Sequence, residues 1–508
     1  SMKLKIWAAV ATAVICITSI GSLPAADASE LQPGDISNSC SFSASQNGSI
    51  VRFLTDGSAG TSWKGGKEAY IQLHSKQPIG GVYLLWNSKP VPWVLSRVTD
   101  GGTELLAEGG ADSFLHEFKK LDAGSGTYRL TFSGQAVLGE LYILGAGETP
   151  SWVQQWNPPL EKADMLLAST HADDELLWFG GAMPVYAGQF GKKVQVSYLI
   201  RHGYGRTHEL LDGLWTVGIT NYPILSDFGD KYCSTLKQAY QLYNKNDIMA
   251  WQVALIRRVK PDVVLTQDLN GEYGHGAHRM NSNTLVKAIT LSGDPQQYPD
   301  SAGKYGTWQI KKLYLHKYDK DDLLMNWNVP LSRFGGKTGL DMARAGFACH
   351  VSQAKRGRYH VDEAGKNDNR WFGLYYSSVG PDVKKNDFFE NLAPVIPWDG
   401  LPLSEKQKGA VSVPITSMGS PPATTAPTTQ ASTTFTVPTS TTASEPPSAT
   451  EAVTAPTTGT TITAAPPDSS VPGEEPSASK TVLIAVICLT AGATAALVIL
   501  VLRAKKKA

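Results

Sequence analysis

The stretch THADDELLWFGG, residues 170–181, sets one imidazole and three carboxyl groups (His171, Asp173, Asp174 and Glu175) in five positions. It then runs straight into Leu-Leu-Trp-Phe. Like charges side by side raise one another's pKa, so such crowding is relieved either by water at a surface or by a cation. A second polar cluster, NGEYGHGAH at 270–278, carries two imidazoles three apart, His275 and His278. His171 and Asp174 are also three apart, at the start of a predicted helix, and can face one way. Two imidazoles and a carboxylate with one coordination position open make a catalytic zinc site. An H-x-x-H pair alone, or an acidic cluster at a helix start alone, is commonly structural. The chemistry depends on the two clusters meeting.

The elements between them bring that meeting about. From about 151 to 410, compact apolar runs (ADMLLAST, KVQVSYLI, PDVVLTQD, KKLYLH) alternate with helical stretches such as STLKQAYQLYNKNDIMAWQVALIRRV. The alternation predicts βαβ units and an α/β, Rossmann-like, mainly parallel sheet covered on both faces. Ligands of such sheets sit beyond the carboxyl ends of the strands. THADDE follows the strand ADMLLAS, and NGEYGHGAH follows PDVVLTQD, so both clusters fall on one rim.

Residues 30–150 have another texture, rich in Gly, Ser and Thr, with short runs IVRFL, AYIQLHS, IGGVYLLW, TYRLTFS and LGELYIL separated by turn residues. They predict an antiparallel β-sandwich. FLTDGSAGTSWKG, with Asp56-Gly57, Thr61 and Trp63, resembles discoidin-like (coagulation-factor type C) modules of galactose-binding-like fold. That resemblance implies sugar binding and a structural Ca2+ near Asp56. Trp86 and Trp93 are candidate aromatic platforms for a sugar ring, with core positions as the alternative.

The ends have their own signals. Lys3 and Lys5, the apolar IWAAVATAVICI and Ala26-Asp27-Ala28 read as a signal peptide over 1–28. Residues 411–479 are Thr, Ser, Pro and Ala with few large apolar side chains, a stalk that would reach on the order of 200 Å if extended. The uncharged run 481–502, in an expected span of 480–502, is long enough to cross a bilayer, and the basic tail 503–508 should stay cytoplasmic. The expected location is the cell membrane, single-pass, with the catalytic domain outside. A net charge of +1 excludes the broad basic face that a nucleic-acid partner requires. Of five cysteines, Cys40, Cys233 and Cys349 fall in the expected ectodomain, with Cys233–Cys349 the expected pair.

THADDE, the GEYGHGAH loop and FACHVSQ at 347–353 resemble the PIG-L/LmbE-like family of metal-dependent N-deacetylases, over about 163–395. The resemblance implies zinc, or another divalent transition metal, and removal of acetyl from an N-acetylated sugar amine. It places the metal ligands on His171, Asp174 and His278, the general base on Asp173, an oxyanion-steadying tyrosine on Tyr273 and an assisting histidine on His275. His350 and Gln353 fall on a stretch that the resemblance puts near substrate, with a histidine packed at a helix end as the alternative for His350. Arg201, His202 and Arg206 compete for one basic position at the substrate. Ala172 stands where the family has proline, and Gly276-Ala277 where it has proline-aspartate. The second change removes a carboxylate able to orient a neighbouring imidazole.

The mechanism read from the residues agrees. A bound cation lowers the pKa of its water towards about 7, Asp173 takes a proton, and Tyr273 shares the developing charge. The expected protein is therefore a surface-anchored deacetylase of N-acetylhexosamine glycans whose first module, dispensable for chemistry on a short sugar, holds it on polymer. The alternatives are a glycan-binding adhesin without turnover and an amidase acting on a small N-acetylated molecule.

Overall fold

The computed structural model describes residues 32–398, apart from 112, 366 and 367. The expected signal peptide, stalk, membrane span and tail lie outside the described residues. No helix among the described residues is long and apolar enough to cross a membrane.

The first unit contains strands β1 (Ser41–Ala44), β2 (Trp63–Gly65), β3 (Tyr70–Ser75), β4 (Ile79–Trp86), β5 (Trp93–Thr99), β6 (Gly102–Gly109), β7 (His116–Ala123), β8 (Gly126–Phe132) and β9 (Ala136–Gly145). They form two antiparallel sheets, ordered β1-β3-β8-β5-β6 and β2-β9-β4-β7. Alternation decides which side chains enter the core: in β3, Ile71, Leu73 and Ser75 are buried while their neighbours are not. The run IVRFL departs from expectation and lies in a 3-10 helix, Gly48–Thr55. Its apolar residues at 50, 53 and 54 satisfy a helical period as well as they do an extended one.

Trp86 and Trp93 are core residues and not sugar platforms, with exposures of 0% and 2%. Both indole N–H groups donate to Glu117 Oε2, at 3.1 and 2.9 Å, while Gly110 N and Ser113 Oγ donate to its Oε1. A buried carboxylate is tolerated when it is so fully satisfied. The structural Ca2+ gains no support either. Asp56 accepts from Ser58 N and Thr61 Oγ1, both within its own turn, and no cluster of three ligand side chains surrounds it among the described residues.

The second unit contains β10 (Met165–Ser169), β11 (Val194–Tyr198), β12 (Ile224–Leu225), β13 (Val263–Thr266), β14 (Lys312–His316), β15 (Asp322–Leu324) and β16 (Trp371–Ser377). The order is β12-β11-β10-β13-β14-β16-β15. The first five strands pair in parallel; β16 runs antiparallel to both β14 and β15. Strands β10, β11 and β13 are buried along their whole length, as a sheet covered on both faces requires. The helices that matter to the site are α1 (Asp174–Leu177), α2 (Tyr204–Thr216), α3 (Leu236–Leu242), α4 (Lys245–Val259), α5 (Gly276–Leu291), α6 (Gly339–Ala348) and α7 (Val351–Ala354). The expected single helix over 234–259 is broken into α3 and α4. Asn244 there turns its side chain to cap Asn246 N, with extended backbone.

Cys40, Cys233 and Cys349 are all free, so the expected Cys233–Cys349 bridge is absent. Each thiol belongs to a different packing environment. The Cys233 carbonyl accepts from Gly276 N at the start of α5, whereas Cys349 Sγ meets Thr216 Oγ1 at the end of α2.

The sandwich is not a loosely tethered module. Its core and one face of the α/β sheet are a single continuous apolar cluster, and Phe114 stacks on Tyr222 at 4.4 Å. Between them runs a buried chain of hydrogen bonds: Tyr83 Oη to His116 Nδ1 at 2.6 Å, His116 Nε2 to His208 Nδ1 at 2.7 Å, and His208 Nε2 to Asn87 Oδ1 at 2.9 Å. Asn87 Nδ2 already donates to Ala59 O, Thr61 O and Ser62 Oγ, so Oδ1 accepts. With both imidazoles neutral, that sets every proton: His208 Nε2 donates to Asn87, His116 Nε2 donates to His208, and Tyr83 donates to His116.

Burial, with His208 adding to it, holds His116 well below its ordinary value; burial holds His208 down to about 4. The unfolded imidazole takes up a proton below about pH 6.5, and the folded one resists until about 4. Stability from this pair is therefore complete above 6.5 and falls as pH drops towards 4. His208→Gln should melt below wild type at pH 7.5, with the gap narrowing towards pH 5; a gap independent of pH would mean that His208 is not held neutral.

Candidate active site

Four neighbouring strands deliver the site from their carboxyl ends. β10 leads into His171–Glu175, β11 into Arg201 and His202, β13 into the 267–278 loop, and β14 ends on His316. The two clusters foreseen from spacing meet on this rim. His171 Nδ1 lies 3.0 Å from His278 Nε2, and Asp174 Oδ2 lies 3.1 Å from each of these nitrogens. Donor atoms around a tetrahedral zinc, at about 2.0–2.1 Å from it, stand roughly 3.3 Å apart, so this triangle has the dimensions of a metal site. His275 is the fourth donor nearby: the imidazoles of His171, His275 and His278 also form a group within 4.8 Å. We take His171, Asp174 and His278 as the tighter set, because their atoms already converge, with His275 beside them.

The surroundings hold these donors in place. Trp178 Nε1 donates to the other Asp174 oxygen at 2.8 Å. His278 Nδ1 meets Glu272 Oε2 at 2.7 Å, and the other Glu272 oxygen meets His316 Nδ1 at 3.2 Å. Glu272 thus orients the His278 ring, the part that sequence reasoning had missed in looking for an aspartate at Ala277. The general habit of pairing a ligating histidine with a carboxylate was the signal that could have found it. Burial works against the charges here, but hydrogen bonds from His278 and His316 hold Glu272 down to about 2. Against the same burial, Asp174 and Glu272 hold His278 up to about 10. His278 and His171 likewise hold Asp174 well below the carboxylate range.

Asp173 has a different environment. Burial, followed by the neighbouring Asp174 charge, pushes its carboxyl up to about 8, and Arg206 pulls the other way. Arg206 Nη2 lies 3.5 Å from Asp173 Oδ2 and donates to Ala172 O. The Asp173 backbone is strained, with φ +112°; a non-glycine residue so placed costs about 1–3 kcal/mol unless its surroundings enforce it. Glu175 supplies part of that enforcement, accepting from Asp173 N at 2.9 Å. His350 Nε2 meets the other Glu175 oxygen at 2.8 Å, and both side chains are fully buried.

His350 is therefore not a substrate contact: it lies behind Glu175, away from the cleft. Arg201 also departs from expectation. It pairs with Asp227 at 2.8 Å and lines a neighbouring cleft, with His202. His202 lies between the two clefts, its ring 5.7 Å from that of His171, and burial, then Arg206, holds it down to about 3. Of the three candidates for the basic position, Arg206 lines the active cleft. That cleft, of about 400 Å³, is lined by His171, Asp173, Asp174, Arg206, Tyr273, His275 and Gln353, with Tyr232, Arg356, Arg358 and Tyr359. Tyr273 is 44% exposed and packs against Tyr359 at 5.2 Å. Tyr359 was another residue not foreseen, lying beyond the motif that drew attention to His350. Burial, then His171 and His278, lowers His275 to about 3, and its Nδ1 is buried without a partner.

Residues 166–289 match the family model described as PIG-L: GlcNAc-PI de-N-acetylase. The α/β unit carries a PIG-L domain. The chain is 26% identical over 191 residues to the 1D-myo-inositol 2-acetamido-2-deoxy-alpha-D-glucopyranoside deacetylase 1 of Frankia casuarinae, covering 32% of this chain and 61% of that relative. It spans roughly three fifths of the length of such curated relatives. Among solved structures, the N,N'-diacetylchitobiose deacetylase of Pyrococcus horikoshii is 15% identical, covering 39% of this chain and 74% of its own, with a TM-score of 0.30. The family 32 carbohydrate-binding module of Clostridium perfringens NanJ, solved with galactose, is 14% identical, covering 21% of this chain and 93% of its own, with a TM-score of 0.19.

Glu175→Gln is expected to keep its size but to present an amide N–H₂ to Asp173 N or to His350. Leaving a buried group unsatisfied costs about 1–3 kcal/mol. The variant should melt lower and lose kcat while keeping its metal content and KM. Unchanged kcat would show that Glu175 does not position Asp173.

Proposed function

We propose that the protein is a metal-dependent N-deacetylase acting on N-acetylhexosamine residues of glycans. The observation that carries this reading is the triangle of His171 Nδ1, Asp174 Oδ2 and His278 Nε2, with edges of 3.0–3.1 Å, beside a second, separately held carboxyl on Asp173. Zinc or a similar divalent ion held there would polarise the acetamide carbonyl and lower the pKa of water.

The chain's own groups supply the rest. Asp173 takes the proton of the attacking water, which adds to the acetamide carbon. Tyr273, at the open face of the cleft, donates to the oxygen as it gains negative charge. The C–N bond then breaks, and the proton held by Asp173 passes to the departing amine, leaving acetate and a free amino sugar. A carboxyl raised towards neutrality can take the water's proton from its ionised form and then return it to the amine. His275, held neutral, lies where it can orient the acetamide or the water.

The anchored arrangement is part of the same proposal: residues 1–28 as signal, 411–479 as stalk and 480–502 as span put the catalytic unit outside the cell membrane. The smaller substrate reading is favoured by the names of the curated relatives, deacetylases of a glucopyranoside of myo-inositol. The docked sandwich, which resembles glycan-binding modules, favours a glycan.

Purified protein should carry about one equivalent of a transition metal, and release acetate from chitin oligomers, peptidoglycan fragments or mucin O-glycans. Full activity in demonstrably metal-free protein would overturn the assignment. The neighbouring aspartates should fail differently. Asp173→Asn should retain metal and lose roughly 10²–10⁴ in rate, whereas Asp174→Ala should lose both metal and activity. Metal content and turnover measured on both variants decide between these roles and their reverse.

A further inference from the structure

The floor of the cleft is accounted for by the donor triangle, Asp173 and Tyr273, but one wall is not. Residues 353–359, which run out of α7, put Gln353, Arg356, Arg358 and Tyr359 on the same cleft as the reacting groups. Arg356 and Arg358 are exposed. Among the described residues neither takes part in an ion pair, whereas Arg201, Arg206, Arg344 and Arg370 each face a carboxylate. Arg356 spends only its Nε, donating to Ser352 O at 3.0 Å. The third guanidinium of the cleft, Arg206, is committed to Ala172 O and Asp173. The acid contributed by the 230–234 loop, Asp230, lies 3.6 Å from His202 Nδ1.

Two guanidinium forks at the mouth of a site whose own acids sit on the floor match an anion brought by the ligand. Arginine binds carboxylate and sulfate in bidentate fashion, and its planar group suits oxygens held in one plane. An acetamide is neutral: its carbonyl can accept a hydrogen bond from a guanidinium but offers no opposite charge. The cleft, at about 400 Å³, has room beyond the acetamido group, at a volume typical of sites that enclose whole ligands. Tyr232, 82% exposed, and Tyr359 add ring faces for a neighbouring sugar.

We propose that Arg356 and Arg358 form a subsite for an anionic group, a carboxylate or a sulfate, on the glycan next to the acetamido sugar, so that the substrate class is acidic glycans. This rests on the deacetylase reading for its chemistry, though not for its binding. The full chain is titrated calorimetrically with three N-acetylated disaccharides: one neutral, one carrying a uronic acid and one carrying a sulfate ester. The acidic ligands should bind at least about tenfold more tightly than the neutral one at low salt, with the advantage shrinking at about 0.5 M salt. In the Arg356→Gln/Arg358→Gln double variant the acidic-to-neutral ratio should fall to about one. A preference confined to the uronic acid or to the sulfate ester supports the subsite and identifies its anion. Equal binding of all three, or a ratio that survives in the double variant, overturns it. Acetate release is followed in parallel. Preferential binding with no acetate from any ligand would leave the subsite standing and remove the deacetylase reading; acetate release without preference would do the reverse.

Discussion

The structure depends on one costly arrangement: His171, Asp174 and His278 brought to within hydrogen-bond distance of one another at the buried carboxyl end of β10. None of these groups would be placed so for stability, since each loses water and the two imidazoles face each other. What makes it tolerable is a shell of neutralising partners. Trp178 takes one oxygen of Asp174, Glu272 takes the far nitrogen of His278, and His316 takes the other oxygen of Glu272. This alternation of acid and base runs from β10 through the β13 loop to β14, so three parallel strands must be in register before the donors can converge. The parallel sheet is needed for that reason, and its fully buried strands give the rim a rigid base.

The same rim explains why the sandwich is docked and not tethered. α2, which begins just past His202, carries Arg206 towards Asp173 on one side and His208, two residues on, into the sandwich on the other. The helix that brings Arg206 to Asp173 is thereby fixed from behind by a neutral imidazole pair. The first module is thus packed against the element that lines the cleft. That differs from the independent tether inferred from sequence, where only the turn-rich texture of residues 30–150 was visible. No local pattern marks His116 and His208 as partners 92 positions apart.

Legibility followed the range of the interaction. THADDE and H-x-x-H were readable because helix spacing and strand ends are local, and the βαβ alternation placed both on one rim. Glu272 was quoted within its loop but not recognised, since its role depends on a turn that carries it back to His278. His350 was open between a substrate contact and a packed histidine, and burial behind Glu175 decides for the second. Trp86 and Trp93 were open between sugar platforms and core, as aromatic side chains look alike in sequence whether they face a sugar or a buried Glu117. IVRFL failed because five residues satisfy two periods at once. Each error arose where tertiary contact, not local preference, made the choice.

The two adjacent aspartates show how far environment can separate identical side chains. Asp174 accepts from Trp178 and lies between two imidazoles, so its anionic form is favoured despite full burial. Asp173, one residue earlier, has left-handed backbone that turns its side chain out of that network, towards Arg206, where burial and the Asp174 charge favour the proton. The strain at φ +112° thus accompanies the separation of the two carboxyl groups. A relaxed helical Asp173 would give up the backbone geometry that now sets it apart from Asp174. Glu175 and His350, both buried, help to hold that conformation, Glu175 through Asp173 N and His350 through the other Glu175 oxygen.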